Sequence, residues 1–288
     1  MAGLWTSPQI VIPTWKPNYG TGADGQITLS GTVTKQVYNL ADGSSISGLT
    51  LSSSYLPSII RCTGTLTISG NITGNGTGWP APYNYNIDCA GSGLGPGGAI
   101  SVGGWGAVAG GAGHAYPGGG SAGGPAYSGI HGLIDGVWGN DCAGSSGGTG
   151  ANQNGGIAGN GGAGGGGLVV IARQIVVGSV SISLNGQNGG NGGADGSSPG
   201  GTGGGGGSGG FLALIAEVLQ LPTSGTIITA AGGIGGTGGA TGGANGNNGS
   251  VGRIYLCYLR SISPSDAASR SNPTATVINL AALPVGIG

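Results

Sequence analysis

Glycine in this chain comes in long tracts set between apolar blocks, and few folds accept that pattern. Of 288 residues 75 are glycine, about a quarter, where about 7% is usual. A disordered chain would be charged and poor in β-branched residues. Here only 5% of residues are charged, mean hydropathy is +0.18, and runs such as LVVIARQIVV and FLALIAEVL need burial. The sequence therefore predicts an ordered fold in which glycine is itself a building material.

The apolar blocks Leu168–Leu184, Phe211–Thr229 and Ile254–Ile262 begin 43 residues apart, each after a glycine stretch. A fixed period of this size marks a repeat whose apolar face is covered by its neighbours. The pair Ile59–Ile72 reads as the same unit in an earlier turn. LVVIA and FLALIA are apolar at successive positions, as strands covered on both faces are. The fold class expected is all-β: a β-solenoid or β-helix-like body, packed polyglycine II excursions and extended terminal arms.

Four regions follow. Residues 1–24 are an extended arm, with Pro8, Pro13 and Pro17 against a helix and Trp5, Trp15 and Tyr19 as attachment candidates on a partner or on the body. Residues 25–73 are short strands between Gly and Asp-Gly turns. Residues 74–262 are the glycine-rich repeat region, with strand blocks at 168–184, 211–229 and 254–262. Residues 263–288 form a C-terminal arm, open to strand exchange with a neighbour.

The glycine tracts, roughly 74–167, 186–210 and 232–252, must leave the body and return to it. Polyproline II rises about 3.1 Å per residue with three residues per turn and no internal hydrogen bonds. Packed side by side, such legs can exchange backbone bonds laterally, and glycine permits the close approach. Asn, Ser, Thr and Ala are expected on the outer faces.

Net charge is −1, Lys16 and Lys35 are the only lysines, and no clustered basic footprint for nucleic acid exists. No apolar run reaches the ~20 residues of a membrane span. The start, MAGLWTSPQIVIPTWKP, lacks the pattern of a secretory signal, although the composition looks extracellular. A virus particle reconciles the two, since its parts leave the cell by lysis; a signal removed from a precursor is the alternative.

Chemistry is thinly represented. Ser121 and Ser208 fall in formal GxSxG matches, but a hydrolase elbow needs a strand and a helix around it. No P-loop is present. The four cysteines lack CxxC spacing, against a zinc site. No metal, cofactor or catalytic residue is expected, and the chain is read as non-enzymatic. Cys89 and Cys142 share the setting Asp-Cys-Ala-Gly-Ser and are disulfide candidates, a bridge worth about 3–4 kcal/mol if unstrained. Cys62 and Cys257 lie in strand-like runs and read as small buried hydrophobes.

Aromatic residues gather in one excursion: the two later tracts carry none, whereas 74–167 holds Trp79, Tyr83, Tyr85, Trp105, His114, Tyr116, Tyr127, His131 and Trp138. Rings with a polar handle suit binding surfaces and stack on sugars; they also fill gaps between glycine legs. The contact candidates are Trp105, His114, Tyr116, Tyr127, His131 and Trp138.

The segments DGQITLSGTVTKQVYNL, GLTLSSSYLPSIIRCTGTLTISGNITGNG and GGGGSGGFLALIAEVLQ…SGTIITAAGGIGGTGG resemble phage fibre and surface proteins. The tracts also resemble the polyglycine-sandwich adhesins at the tips of some long tail fibres, although here strand blocks interrupt them. The resemblance implies a virion-surface protein, a homo-oligomer such as a trimer. Its implied partners are other virion proteins and a host surface glycan or outer-membrane protein. A capsid or tail decoration or collar protein, and a prokaryotic surface-matrix or filament protein, are the alternatives.

Overall fold

A computed structural model describes residues 17–52, 56–81, 142–150, 157–193, 200–239 and 243–282. It is all-β. The strands are β1 (Thr28–Thr32), β2 (Val37–Leu40), β3 (Ser44–Thr50), β4 (Ser58–Ile68), β5 (Ile72–Thr73) and β6 (Gly167–Val177). They continue with β7 (Ile182–Ser183), β8 (Phe211–Gln220), β9 (Ile228–Thr229), β10 (Arg253–Ser263), β11 (Ser271–Asn272) and β12 (Thr276–Asn279). Short 3-10 turns stand at Ala267–Arg270 and Leu280–Ala282.

All the strands join one sheet, ordered β11-β9-β7-β5-β3-β4-β6-β8-β10-β12, with β1 beside β3 and β2 beside β4. Its pairs are parallel. The sheet curls strongly into a half-barrel compatible with a β-solenoid-like body. Long strands β4, β6, β8 and β10 stack on one side of the curl, and short strands β5, β7, β9 and β11 on the other. The register refines the repeat. Leu168 pairs with Leu212, and Leu212 with Ile254, steps of 44 and 42 rather than an even 43. Pairing fixes the rungs, and the connecting excursions absorb the odd residue.

Alternation within the long strands sends side chains to two cores. Leu168, Val170, Leu212, Leu214, Ile254 and Leu256 face inward. There they join the stacked Ile72, Ile182 and Ile228, each 0% exposed and in register on neighbouring short strands. The intervening Val169, Ile171, Ala213, Ile215, Tyr255 and Cys257 face outward into a second buried cluster. Two covered faces are why the runs Leu168–Ala172 and Phe211–Ala216 are apolar at every position. Gly43 at φ 77° makes the Asp-Gly turn into β3, a conformation L side chains rarely adopt.

Between the strands, extended glycine legs exchange main-chain hydrogen bonds at every third residue. Gly144, Gly147 and Gly150 donate to Gly165, Gly162 and Gly159 at 2.8–2.9 Å, an antiparallel pair of legs. Gly159, Gly162 and Gly165 donate in turn to Thr202, Gly205 and Ser208, a parallel pair.

The described parts of both terminal segments, 17–24 and 263–282, pack against the body. Part of the C-terminal arm is β12, paired with the chain's own β10 at Tyr255–Thr276 through Tyr258–Asn279. At the other end Asp24 accepts from the Asn39 amide at 2.7 Å and from Lys35 Nζ at 2.8 Å, anchoring the arm to β2.

Candidate functional site

The legs form a platform rooted in the sheet. Legs 184–193 and 230–239 leave β7 and β9; legs 157–166, 200–210 and 243–252 lead into β6, β8 and β10. Ten residues at about 3.1 Å each give a length of about 30 Å.

Leg 200–210 is the buried centre. Successive amides donate in rotation to three neighbours: Gly203 to Ala244, Gly204 to Gly190 and Gly205 to Gly148, each at 2.9 Å. Its carbonyls accept from two more legs, Gly204 from Gly236 at 2.8 Å and Gly205 from Gly162 at 2.8 Å. The contacts leave no room for side chains: a Cβ built on Gly204, Gly207 or Gly236 would meet a neighbouring carbonyl closer than 3.0 Å.

Glycine content follows the number of neighbours. Leg 243–252 keeps glycine at 243, 246, 249 and 252. Of these, Gly246 and Gly249 donate to Gly236 and Gly233 at 2.8 Å, and Gly252 to Ala230 at 2.7 Å. Its other positions are Ala, Asn, Ser and Val. On the neighbouring legs Asn185, Asn188 and Asn191 accept, through Oδ1, the amides of Ala231, Ile234 and Thr237 at 2.8–2.9 Å. Asparagine there replaces the leg that would otherwise accept those protons.

The expectation that small polar residues stand on outer faces needs correction. Asn188 and Asn191 are exposed, but Ser145, Thr202 and Ser208 are buried. A hydroxyl fits inside because it satisfies its own polarity: Ser208 Oγ donates to the Ser145 carbonyl at 3.1 Å. That bond, in an extended leg, also removes Ser208 as a nucleophile elbow.

Tyr19 lies on the body. Its hydroxyl donates to Glu217 Oε1 at 3.3 Å, and the Arg173 guanidinium stands 5.6 Å from its ring centroid. Glu217 also pairs with Arg260 at 3.1 Å. Burial, then the Glu217 charge, raise the Tyr19 hydroxyl above its ordinary range. Arg173, Glu217 and Arg260 were not singled out from sequence. Their signal is a charge recurring at the same place in each apolar block, where β6, β8 and β10 bend.

Cys142 is buried at the foot of leg 142–150, in the outer cluster; Cys89 lies outside the described residues. Cys62 and Cys257 are buried at 0% exposure. Trp5, Trp15, Trp105, His114, Tyr116, Tyr127, His131 and Trp138 lie outside the described residues as well. Trp79 joins the base of the platform, its amide donating to Gly144 and its carbonyl accepting from Gly164, both at 3.0 Å. Among the described residues no cluster of His, Cys, Asp and Glu is placed to hold a metal, and no helix is long and apolar enough to cross a membrane.

Comparison of the chain with family models, with curated proteins and with solved structures finds no match.

Proposed function

We propose that this chain is a non-enzymatic structural protein of a phage particle, exposed on its surface. Its β-solenoid body would carry a polyglycine II platform that holds host-contacting loops away from the particle, as in a tail-fibre or tail-tip adhesin. The observation that carries the reading is the three-residue hydrogen-bond rotation along leg 200–210. Three residues per turn is the period of the polyproline II helix, and lateral satisfaction of every turn makes a bundle stiff enough to project. A stiff projection built from main chain has no evident catalytic use and an evident presenting one. The partners in this reading are other virion proteins at the base and a host glycan or outer-membrane protein at the aromatic excursion, with no cofactor.

Immunogold labelling of particles, together with competition of host adsorption by the purified chain, tests it. Label at a fibre or tail tip with competition is expected, as is loss of competition in Trp138→Ala and Tyr116→Ala with assembly intact. Label on capsid or collar without competition would assign a decoration role instead, and absence from particles would leave the surface-matrix reading.

A further inference from the structure

Asn-Gly is commonly a turn dipeptide, yet here it occurs at 185, 188 and 191 and again at 245 and 248, all on extended legs. The five steps grip leg 230–239 from two neighbouring legs. Each asparagine Oδ1 accepts a main-chain amide of leg 230–239: Ala231, Ile234 and Thr237 at 2.8–2.9 Å from one neighbour, Gly235 and Gly238 at 2.9 Å from the other. Each following glycine donates its own amide to the same leg. Gly186, Gly189 and Gly192 donate to the carbonyls of Ala231, Ile234 and Thr237 at 2.8–2.9 Å, and Gly246 and Gly249 to those of Gly236 and Gly233 at 2.8 Å. The dipeptide Asn188-Gly189 thus holds Ile234 by both of its main-chain groups. Burial is not what shields these steps, because Asn188, Asn191, Asn245 and Asn248 are exposed.

The same two groups are the reactants of asparagine deamidation. The glycine nitrogen attacks the preceding Cγ, the bond from Cγ to the side-chain nitrogen breaks, and ammonia leaves with the proton that the glycine nitrogen gives up. Water opens the remaining succinimide ring to aspartate or to isoaspartate, in which the main chain runs through Cβ and is one carbon longer. Glycine favours the attack because it has no Cβ to crowd the nitrogen. We propose that the five Asn-Gly steps are latent self-modification sites, held unreactive by their grip on leg 230–239, and that opening this leg starts a one-way reaction. In the closed platform the glycine proton points at a carbonyl, so base does not remove it. The asparagine Oδ1 is tied to an amide, so Cγ does not turn toward the nitrogen. Opening removes both restraints, and segments with solvent-exposed hydrogen bonds are the ones that open at low cost. Isoaspartate then breaks the three-residue period of the gripping leg, and the edge of the platform does not close again. The inference stands independently of the particle reading.

Peptide mass spectrometry of the full chain held at mildly alkaline pH tests it, with aspartate and isoaspartate separated by chromatography. Conversion at the five sites is expected to be at least about ten-fold slower in the folded chain than in guanidinium; a smaller difference overturns the proposal. Ile234→Pro tests the grip itself. Proline fits the φ of an extended leg but has no amide to give Asn188. Conversion at Asn188 is expected to rise about three-fold or more, and a rate equal to the parent's overturns the proposal. Should this variant not fold, Thr237→Pro puts the same question to Asn191, with the same two outcomes. The one-way step has its own readout. A chain refolded after conversion is expected to exchange the amides of Ala231, Ile234 and Thr237 fast while those of β8 stay slow, as they do in a chain refolded at once. Slow exchange at all of them would overturn the one-way step.

Discussion

The carbonyl oxygen of Gly204 accepts the amide of Gly236 at 2.8 Å, and neither residue has room for a Cβ, which would run into the Asn160 carbonyl at Gly204 and the Gly190 carbonyl at Gly236. Two legs distant in sequence are thereby held by groups every residue carries, at a distance only one residue type allows. Gly204→Ala forces a methyl into the Asn160 carbonyl, and a backbone bonded on all sides cannot yield. The expected destabilisation is about 3 kcal/mol, the upper end for overpacking. Gly193→Ala is the control: a Cβ there meets side-chain atoms of Ile157 no nearer than 3.5 Å, and stability is expected to stay within about 0.5 kcal/mol. Denaturant unfolding of both variants checks the difference.

Asn188 makes a sharper test of the capped face. Asn188→Ala strips the acceptor from the Ile234 amide, at about 1 kcal/mol or less because water reaches the site. Asn188→Asp keeps an acceptor oxygen. Amide exchange at Ile234 is expected to accelerate in the alanine variant and to stay slow in the aspartate variant.

The short-strand stack is a fully buried apolar contact between rungs. Ile182 lies between Ile72 and Ile228 in register and is fully buried. Ile182→Ala leaves a cavity in a row that cannot close on itself, costing about 2–5 kcal/mol. The drop in denaturation midpoint measures it.

Alkali is expected to loosen the fold from about pH 9. Burial pushes the Cys257 thiol from its ordinary 9.0 up to about 12. The folded state therefore keeps a proton that the unfolded state loses, so this stabilisation is complete below pH 9 and fades as pH rises toward 12. Cys62 is shifted upward as well, and Tyr19 and Tyr255 add losses in the same direction above 10. Denaturant unfolding between pH 8 and pH 11 should show a shallower decline in Cys257→Ala than in the parent chain.

Removing the Tyr19 hydroxyl probes the arm. Tyr19→Phe keeps the ring beneath Arg173 and loses the bond to Glu217, at about 1 kcal/mol. Faster amide exchange over residues 18–24, with β8 unchanged, is the expected signature.

Much of this architecture was legible in the residues alone. The spaced apolar blocks announced stacked strands, and their unbroken apolar character announced two covered faces, because alternation along a strand sends neighbours to opposite sides. The threefold placing of glycine along 243–252 and of asparagine at 185, 188 and 191 already carried the period of the legs. Local pattern suffices for these features because each follows from the period of a single segment.

Tertiary structure decided the rest. Which leg lies beside which, that Ser208 and Thr202 turn inward while Asn188 turns out, and that Tyr19 meets Glu217 across 198 residues depend on the curl of the sheet. So does the return of Thr276–Asn279 to the chain's own β10. A backbone amide is the same donor at every position, so sequence specifies that a leg will bond sideways; the sheet that roots the legs specifies to whom.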